Sequence, residues 1–169
     1  YLKLKKDKLL FRLVASLVAP SVERGLCALS AVSSTPVSAV VTFIPRSRAK
    51  VRTLGNDQAK MLAKYLAREL SLPCARLLVR RKQGRAQKEL SLFEREENTA
   101  SMFRIRGAKH LSGKTVIIVD DLVASGNTLA QAGLALKRAG AKNVLFSCIA
   151  ALEEKPKDDS FAQDIDIFG

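Results

Sequence analysis

Apolar positions recur along this chain with two periods, and the periods assign most of its secondary structure. Over residues 3–19, Leu9, Leu10, Leu13, Val14, Leu17 and Val18 fall on one helical stripe, and Pro20 is expected to end that helix. Residues 25–45 carry no charge and have the length of a bilayer span. Their serines, threonines and Pro36 are too polar for one, so the stretch reads as a loop running into a buried strand at 38–44. A basic loop, 46–54, leads to a predicted helix over 56–70 with Ala59, Leu62, Ala63, Leu66 and Leu70 on one face. A strand is expected at 75–79. Residues 80–88 show no apolar periodicity and read as an exposed, mobile loop, and Ser91 with Glu94 has the spacing of a capping box. Another short strand is expected at 103–106.

The clearest unit comes last. Residues 115–119 are apolar without alternation, as in a parallel strand covered on both faces. A helix is predicted over 128–139, with Leu129, Ala132, Gly133 and Leu136 inward and Gly140 as its C-terminal cap. A second buried strand follows at 143–151. These elements make a β-α-β unit within one α/β domain. The expected division is a domain over 1–152, with 1–37 as an N-terminal helical segment, and an acidic, loosely held tail over 153–169.

Composition adds limits. The chain has 169 residues, 47% apolar and 27% charged, which is a globular balance with ample core. Cys27, Cys74 and Cys148 lie far apart with no C-x-x-C pair, so neither a structural zinc site from this chain nor a secreted disulfide framework is expected. No signal peptide or membrane insertion is expected, and the predicted location is cytoplasmic. A first residue of Tyr1 rather than Met is expected of a piece of a longer gene product.

Charge is uneven. The net charge is +13, and residues 1–90 alone hold 19 basic against 5 acidic side chains. Such a concentration implies an anionic partner, a polyphosphate or a nucleic acid. For nucleic acid the candidates are Arg46, Arg48, Lys50, Arg52, Arg80 and Arg81, although aromatic residues for stacking on single strands are few.

The chemistry is concentrated in residues 116–128, Val-Ile-Ile-Val-Asp-Asp-Leu-Val-Ala-Ser-Gly-Asn-Thr. A buried strand there delivers Asp120 and Asp121 to its carboxyl edge, where ligands of open α/β sheets bind. Two carboxylates can accept hydrogen bonds from vicinal hydroxyls or touch a hydrated Mg²⁺. The small residues Ala124, Ser125, Gly126, Asn127 and Thr128 then open a helix, and free N–H groups and hydroxyls at such a turn suit a phosphate monoester. Acids for a diol beside a phosphate cradle describe a site for ribose 5-phosphate. A flavin-phosphate loop would follow the first strand and lack the paired acids.

This segment resembles the phosphoribosyl-pyrophosphate (PRPP) motif of type I phosphoribosyltransferases. Residues 40–59, Gln87 to Leu90, Arg95 to Asn98 and Phe103 resemble the ComF branch of that family, linked to competence and DNA uptake. Leu54-Gly55-Asn56-Asp57-Gln58 stands where that branch has Arg-Gly-Phe-Asn-Gln, and Ala124-Ser125 stands where it has Thr-Thr. The resemblance implies a mainly parallel sheet with helices on both faces, a three-layer α/β/α fold. It implies transfer of ribose 5-phosphate from PRPP to a small nitrogenous acceptor, with Mg²⁺ and pyrophosphate release, and a possible homodimer. By position, Asp120 and Asp121 would hold the ribose hydroxyls and approach Mg²⁺ through water. Ala124, Ser125, Gly126, Asn127 and Thr128 would hold the 5-phosphate. Pro45, Arg46 and Ser47 would form the pyrophosphate loop, with a cis peptide expected there, and Arg81, Lys82 and Arg85 would close over the leaving group. A non-catalytic protein of the same fold that binds DNA through residues 45–88 is the alternative.

Overall fold

A computed structural model describes residues 7–33, 36–46, 57–81, 102–108, 111–123 and 126–151. Three parallel strands form the central sheet: β1 (Ala39–Phe43), β4 (Thr115–Val123) and β5 (Asn143–Ala151), in the order β1-β4-β5. Among the described residues, three helices surround it: α1 (Lys8–Ser33), α2 (Gln58–Glu69) and α3 (Asn127–Arg138). Two three-residue strands, β2 (Leu78–Arg80) and β3 (Phe103–Ile105), pair antiparallel in a separate small sheet.

The absence of alternation in β1 and β4 has the expected cause. Ala39, Val41, Phe43, Ile117 and Val119 face one buried cluster, which they share with α1 and α2. Val40, Ile44, Val116 and Ile118 face the other, shared with α3, Leu78 and Phe103. Successive residues point to opposite faces, so a strand covered on both sides must be apolar throughout. The result is the expected three-layer α/β/α arrangement.

α1 corrects the sequence reading. It starts later, at a cap formed by Asp7, whose Oδ1 accepts from Leu9 N at 2.9 Å. It also runs straight through Pro20 to Ser33, taking in residues 25–33, which the sequence assigns to a loop. Proline costs about 3 kcal/mol relative to alanine inside a helix. Here Pro20 and Ser16, whose carbonyl loses its partner, are both exposed. The opposite face continues in step across the proline as Phe11, Ala15, Ala19 and Val22, all buried. Phe11 stacks on Tyr65 of α2, with ring centroids 6.2 Å apart. Packing outweighs the local signal. By length and composition alone α1 also reaches what a bilayer span needs, with a mean hydropathy of 1.3 over its most apolar 18 residues.

The strand expected at 75–79 is displaced. Residues 73–75 lie along β1, where Val41 N donates to Pro73 O and Ala75 N donates to Val41 O, both at 2.9 Å. The chain then leaves the central sheet. Buried Thr42 holds it at the exit, its Oγ1 accepting from Leu77 N at 3.3 Å. From Leu78 it pairs with β3 instead.

Candidate functional site

Parallel pairing sets the geometry of the site. Phe43 lies opposite Val119, so the segment leaving β1 and the acids after Val119 emerge at the same sheet edge. Ile44 N extends the ladder by donating to Val119 O at 3.0 Å. Two residues later Arg46 reaches across and pairs with Asp121. The Arg46 Nη2 that meets Asp121 Oδ2 also donates to Gln58 Oε1 at 2.9 Å. Both members of the pair are largely buried, with side chains 12% and 14% exposed.

The sequence ends this strand at Val119, but β4 continues to Val123 because Asp120, Leu122 and Val123 keep their partners Cys148, Ala150 and Ala151 in β5. The two acids are therefore strand residues and alternate in direction. Asp121 continues the row of Ile117 and Val119, which faces α1 and α2, and this brings it to Arg46 and the start of α2.

Asp120 is the electrostatically unusual group. Its carboxyl is pushed up to about 7, chiefly by burial. The hydrogen bond with the Asp121 side chain and the Asp121 charge push the same way, while the Asp121 N–H and Arg46 oppose them. The N–H contact is a 2.9 Å bond from Asp121 N to Asp120 Oδ1. Cys148, beside Asp120 in β5, is raised by burial and then by the Asp120 charge.

Gly126 opens α3 in the left-handed region, with φ 69°, and no side chain caps the helix there. Ala130 N donates to Gly126 O at 2.9 Å, which starts the helical ladder. The N–H groups of Asn127, Thr128 and Leu129 precede that first bond and have no partner within the helix. This end of α3 follows β4 at the sheet edge that carries the acids, an arrangement suited to an anion.

At the residue before Arg46, the Pro45 carbonyl accepts from Nε of Arg80, at the end of β2, at 3.5 Å. The Arg80 guanidinium lies over the Phe103 ring, 5.4 Å from the centroid. Arg81 follows on the exposed surface, its N–H bonded to Met102 O at 2.9 Å.

Of the residues named from sequence, Pro45, Arg46, Asp120, Asp121, Gly126, Asn127 and Thr128 lie at this edge, and Arg80 and Arg81 lie next to Pro45 in β2 and just after it. Ser47, Arg48, Lys50, Arg52, Lys82, Arg85, Ala124 and Ser125 lie outside the described residues. No peptide bond among the described residues is cis, so Pro45 and Arg46 are joined in trans; the bond into Ser47 is outside them. Gln58 is not among the site residues expected from sequence. Its signal was the Asp57 cap, which accepts from Lys60 N at 3.3 Å and makes Gln58 the first helical residue beside the basic loop.

The class is thus an open α/β protein with an acidic sheet edge next to a helix N-terminus. The family of phosphoribosyl transferase domains matches residues 57–167. The chain belongs to that family. A 51-residue stretch is 43% identical to "Ribose-phosphate pyrophosphokinase 2" of Enterococcus faecalis, over 30% of this chain and 15% of that protein. Two solved structures share the fold. One is titled as the allosteric regulatory enzyme of purine biosynthesis (TM-score 0.50, 24% identity, 72% of this chain and 23% of that one). The other is glutamine PRPP amidotransferase from B. subtilis, complexed with ADP and GMP (TM-score 0.52, 19% identity, 82% and 26%). The chain therefore spans about a quarter or less of each of these three relatives. The fold is that of the type I phosphoribosyltransferases.

Proposed function

We propose that this chain binds PRPP and transfers its ribose 5-phosphate group to a nitrogenous base or amine, releasing pyrophosphate. The observation that carries the reading is the convergence of Asp120, Asp121 and Arg46 at one sheet edge, next to the open start of α3. Carboxylates accept from hydroxyls, so Asp120 and Asp121 would hold the ribose diol. Gly126, Asn127 and Thr128 would bind the 5-phosphate through backbone N–H groups and the Thr128 hydroxyl, together with Ala124 and Ser125. Arg46 would meet the pyrophosphate, with Arg81, Lys82 and Arg85 beyond it.

In this reaction the bond from ribose C1 to the pyrophosphate oxygen breaks, and a bond forms from C1 to the acceptor nitrogen. Positive charge develops on the sugar and negative charge on the leaving group, so the protein's contribution is positioning and stabilisation of charge. Guanidinium groups beside the departing oxygens do the latter. The paired carboxylates are hard oxygen donors that suit a hydrated Mg²⁺, which when bound supplies further charge neutralisation. The acceptor's own nitrogen is the nucleophile and its proton passes to the departing pyrophosphate or to solvent, so no general base is needed from the motif.

The likeness to the ComF branch supports a role linked to competence and DNA uptake. DNA binding through residues 45–88 is the competing reading. Against it, Arg46 is engaged by Asp121 and Gln58, and Arg80 by Phe103 and the Pro45 carbonyl.

Calorimetric titration with PRPP, with and without Mg²⁺, tests the reading on the chain and on Asp120→Asn/Asp121→Asn. Saturable binding that the double substitution abolishes is expected, and pyrophosphate release would then be followed with a panel of bases and amines. If the intact chain binds no PRPP, the proposal fails. DNA affinity that falls steeply with salt would then favour the competing reading.

A further inference from the structure

We propose that Gln58 is a positioning residue for the transfer reaction, holding Arg46 by Nη2 so that Arg46 can exchange Asp121 for pyrophosphate without leaving the site. The inference rests on the assignment above of Asp121 to ribose hydroxyls and Arg46 to the leaving group.

The two assignments conflict in the ligand-free chain. Arg46 Nη2 sits on Asp121 Oδ2, so one of the two oxygens of the carboxylate meant for the diol is held by the cation meant for pyrophosphate. A ribose hydroxyl that takes Oδ2 must displace this contact. A guanidinium released with no second anchor would regain the freedom of a long side chain, which must be lost again when it meets pyrophosphate.

Gln58 supplies the anchor. Nη2 carries two N–H groups, and its acceptors among the described residues are Asp121 Oδ2 and Gln58 Oε1. Loss of the first leaves the second in place and frees one N–H to turn toward a phosphate oxygen. Gln58 is itself held firmly. It begins α2 directly after the Asp57 cap, and the next turns bury Ala59, Leu62 and Ala63 completely. Its chemical type also matters. An amide oxygen accepts without bringing charge, whereas a carboxylate at this position would hold Arg46 more strongly and repel pyrophosphate.

The test is a set of calorimetric titrations of the full chain with Mg²⁺ and, separately, pyrophosphate, ribose 5-phosphate and PRPP. Gln58→Ala should weaken pyrophosphate and PRPP about tenfold and leave ribose 5-phosphate within about twofold. In an Arg46→Ala background its effect on pyrophosphate should largely disappear, because the contact that carries that effect is already gone. Gln58→Glu should weaken pyrophosphate while keeping the fold. Equal losses for ribose 5-phosphate and pyrophosphate, or full additivity with Arg46→Ala, would overturn the proposal. A ligand-free measurement separates it from the functional reading. Rotation of the Arg46 guanidinium, followed by nitrogen-15 NMR in an Asp121→Ala background that removes the other acceptor, should be hindered with Gln58 present and freed by adding Gln58→Ala. Equal hindrance overturns the role of Gln58, whereas failure of the wild type to bind PRPP overturns the functional reading alone.

Discussion

Arg46 and Asp121 are 75 residues apart in sequence and form an ion pair at the carboxyl edge of the sheet. The pair joins the segment leaving β1 to the end of β4, and it is closed because those strands are parallel neighbours. With both side chains largely buried, removing one charge leaves the other poorly solvated. Asp121→Asn should therefore lower the unfolding free energy by about 1–3 kcal/mol in urea titration. The same change should weaken PRPP binding by roughly 1–3 kcal/mol. Unchanged affinity would exclude Asp121 from the ribose site.

Asp120 gives a pH signature. Its carboxyl stands near 7 in the folded chain, against about 3.9 for an unfolded one. Between those values the folded state keeps a proton that the unfolded state has released. The associated stability is full below about pH 4 and is lost as pH rises through 7. Asp120→Asn stays neutral throughout. Its thermal midpoint should exceed that of the wild type at pH 8, and the gap should close toward pH 4. A gap that does not vary with pH would show that Asp120 is not the titrating group.

Gly126 separates two causes of intolerance. A Cβ there would meet no atom within 4 Å, so space is not limiting, but φ of 69° is a conformation that side chains rarely adopt. Gly126→Ala should cost about 1–2 kcal/mol in chemical denaturation, and Gly126→Asn less, since Asn tolerates this region. Equal costs for the two would point to a contact rather than the backbone.

Pro20 tests the continuity of α1. Its ring is exposed and removes a helical hydrogen bond. Pro20→Ala should stabilise the chain by about 1–3 kcal/mol, read as a higher urea midpoint at an unchanged slope. Destabilisation would mean that the ring's packing matters more than the missing bond.

Much of this fold was legible because the relevant signals are local or periodic. The unbroken apolar run of β4 demanded two covering layers, and α3 carried both its inward stripe and its Gly140 cap, which has φ of 100°. The helix over α2 followed from Ala59, Leu62, Ala63 and Leu66. Pro20 misled because its penalty is local, while the packing that overrides it comes from α2, some forty residues downstream. The 75–79 strand was misplaced because apolar residues cannot say which sheet they will join. Buried Thr42, through its bond to Leu77, marks the point where the chain changes sheets.

The layers of the domain, the two acids at a sheet edge and the glycine that opens the following helix are all readable from local pattern. Periodicity, chain order and backbone conformational preference act within a few residues, and those features need nothing else. Which groups face the acids depends on how the strands and helices pack. Arg46 meets Asp121 because β1 and β4 pair in parallel with Phe43 opposite Val119, and Gln58 joins them because α2 packs across the same face. Strand register and helix placement are set by the whole core, so no local pattern could have paired those three side chains in advance.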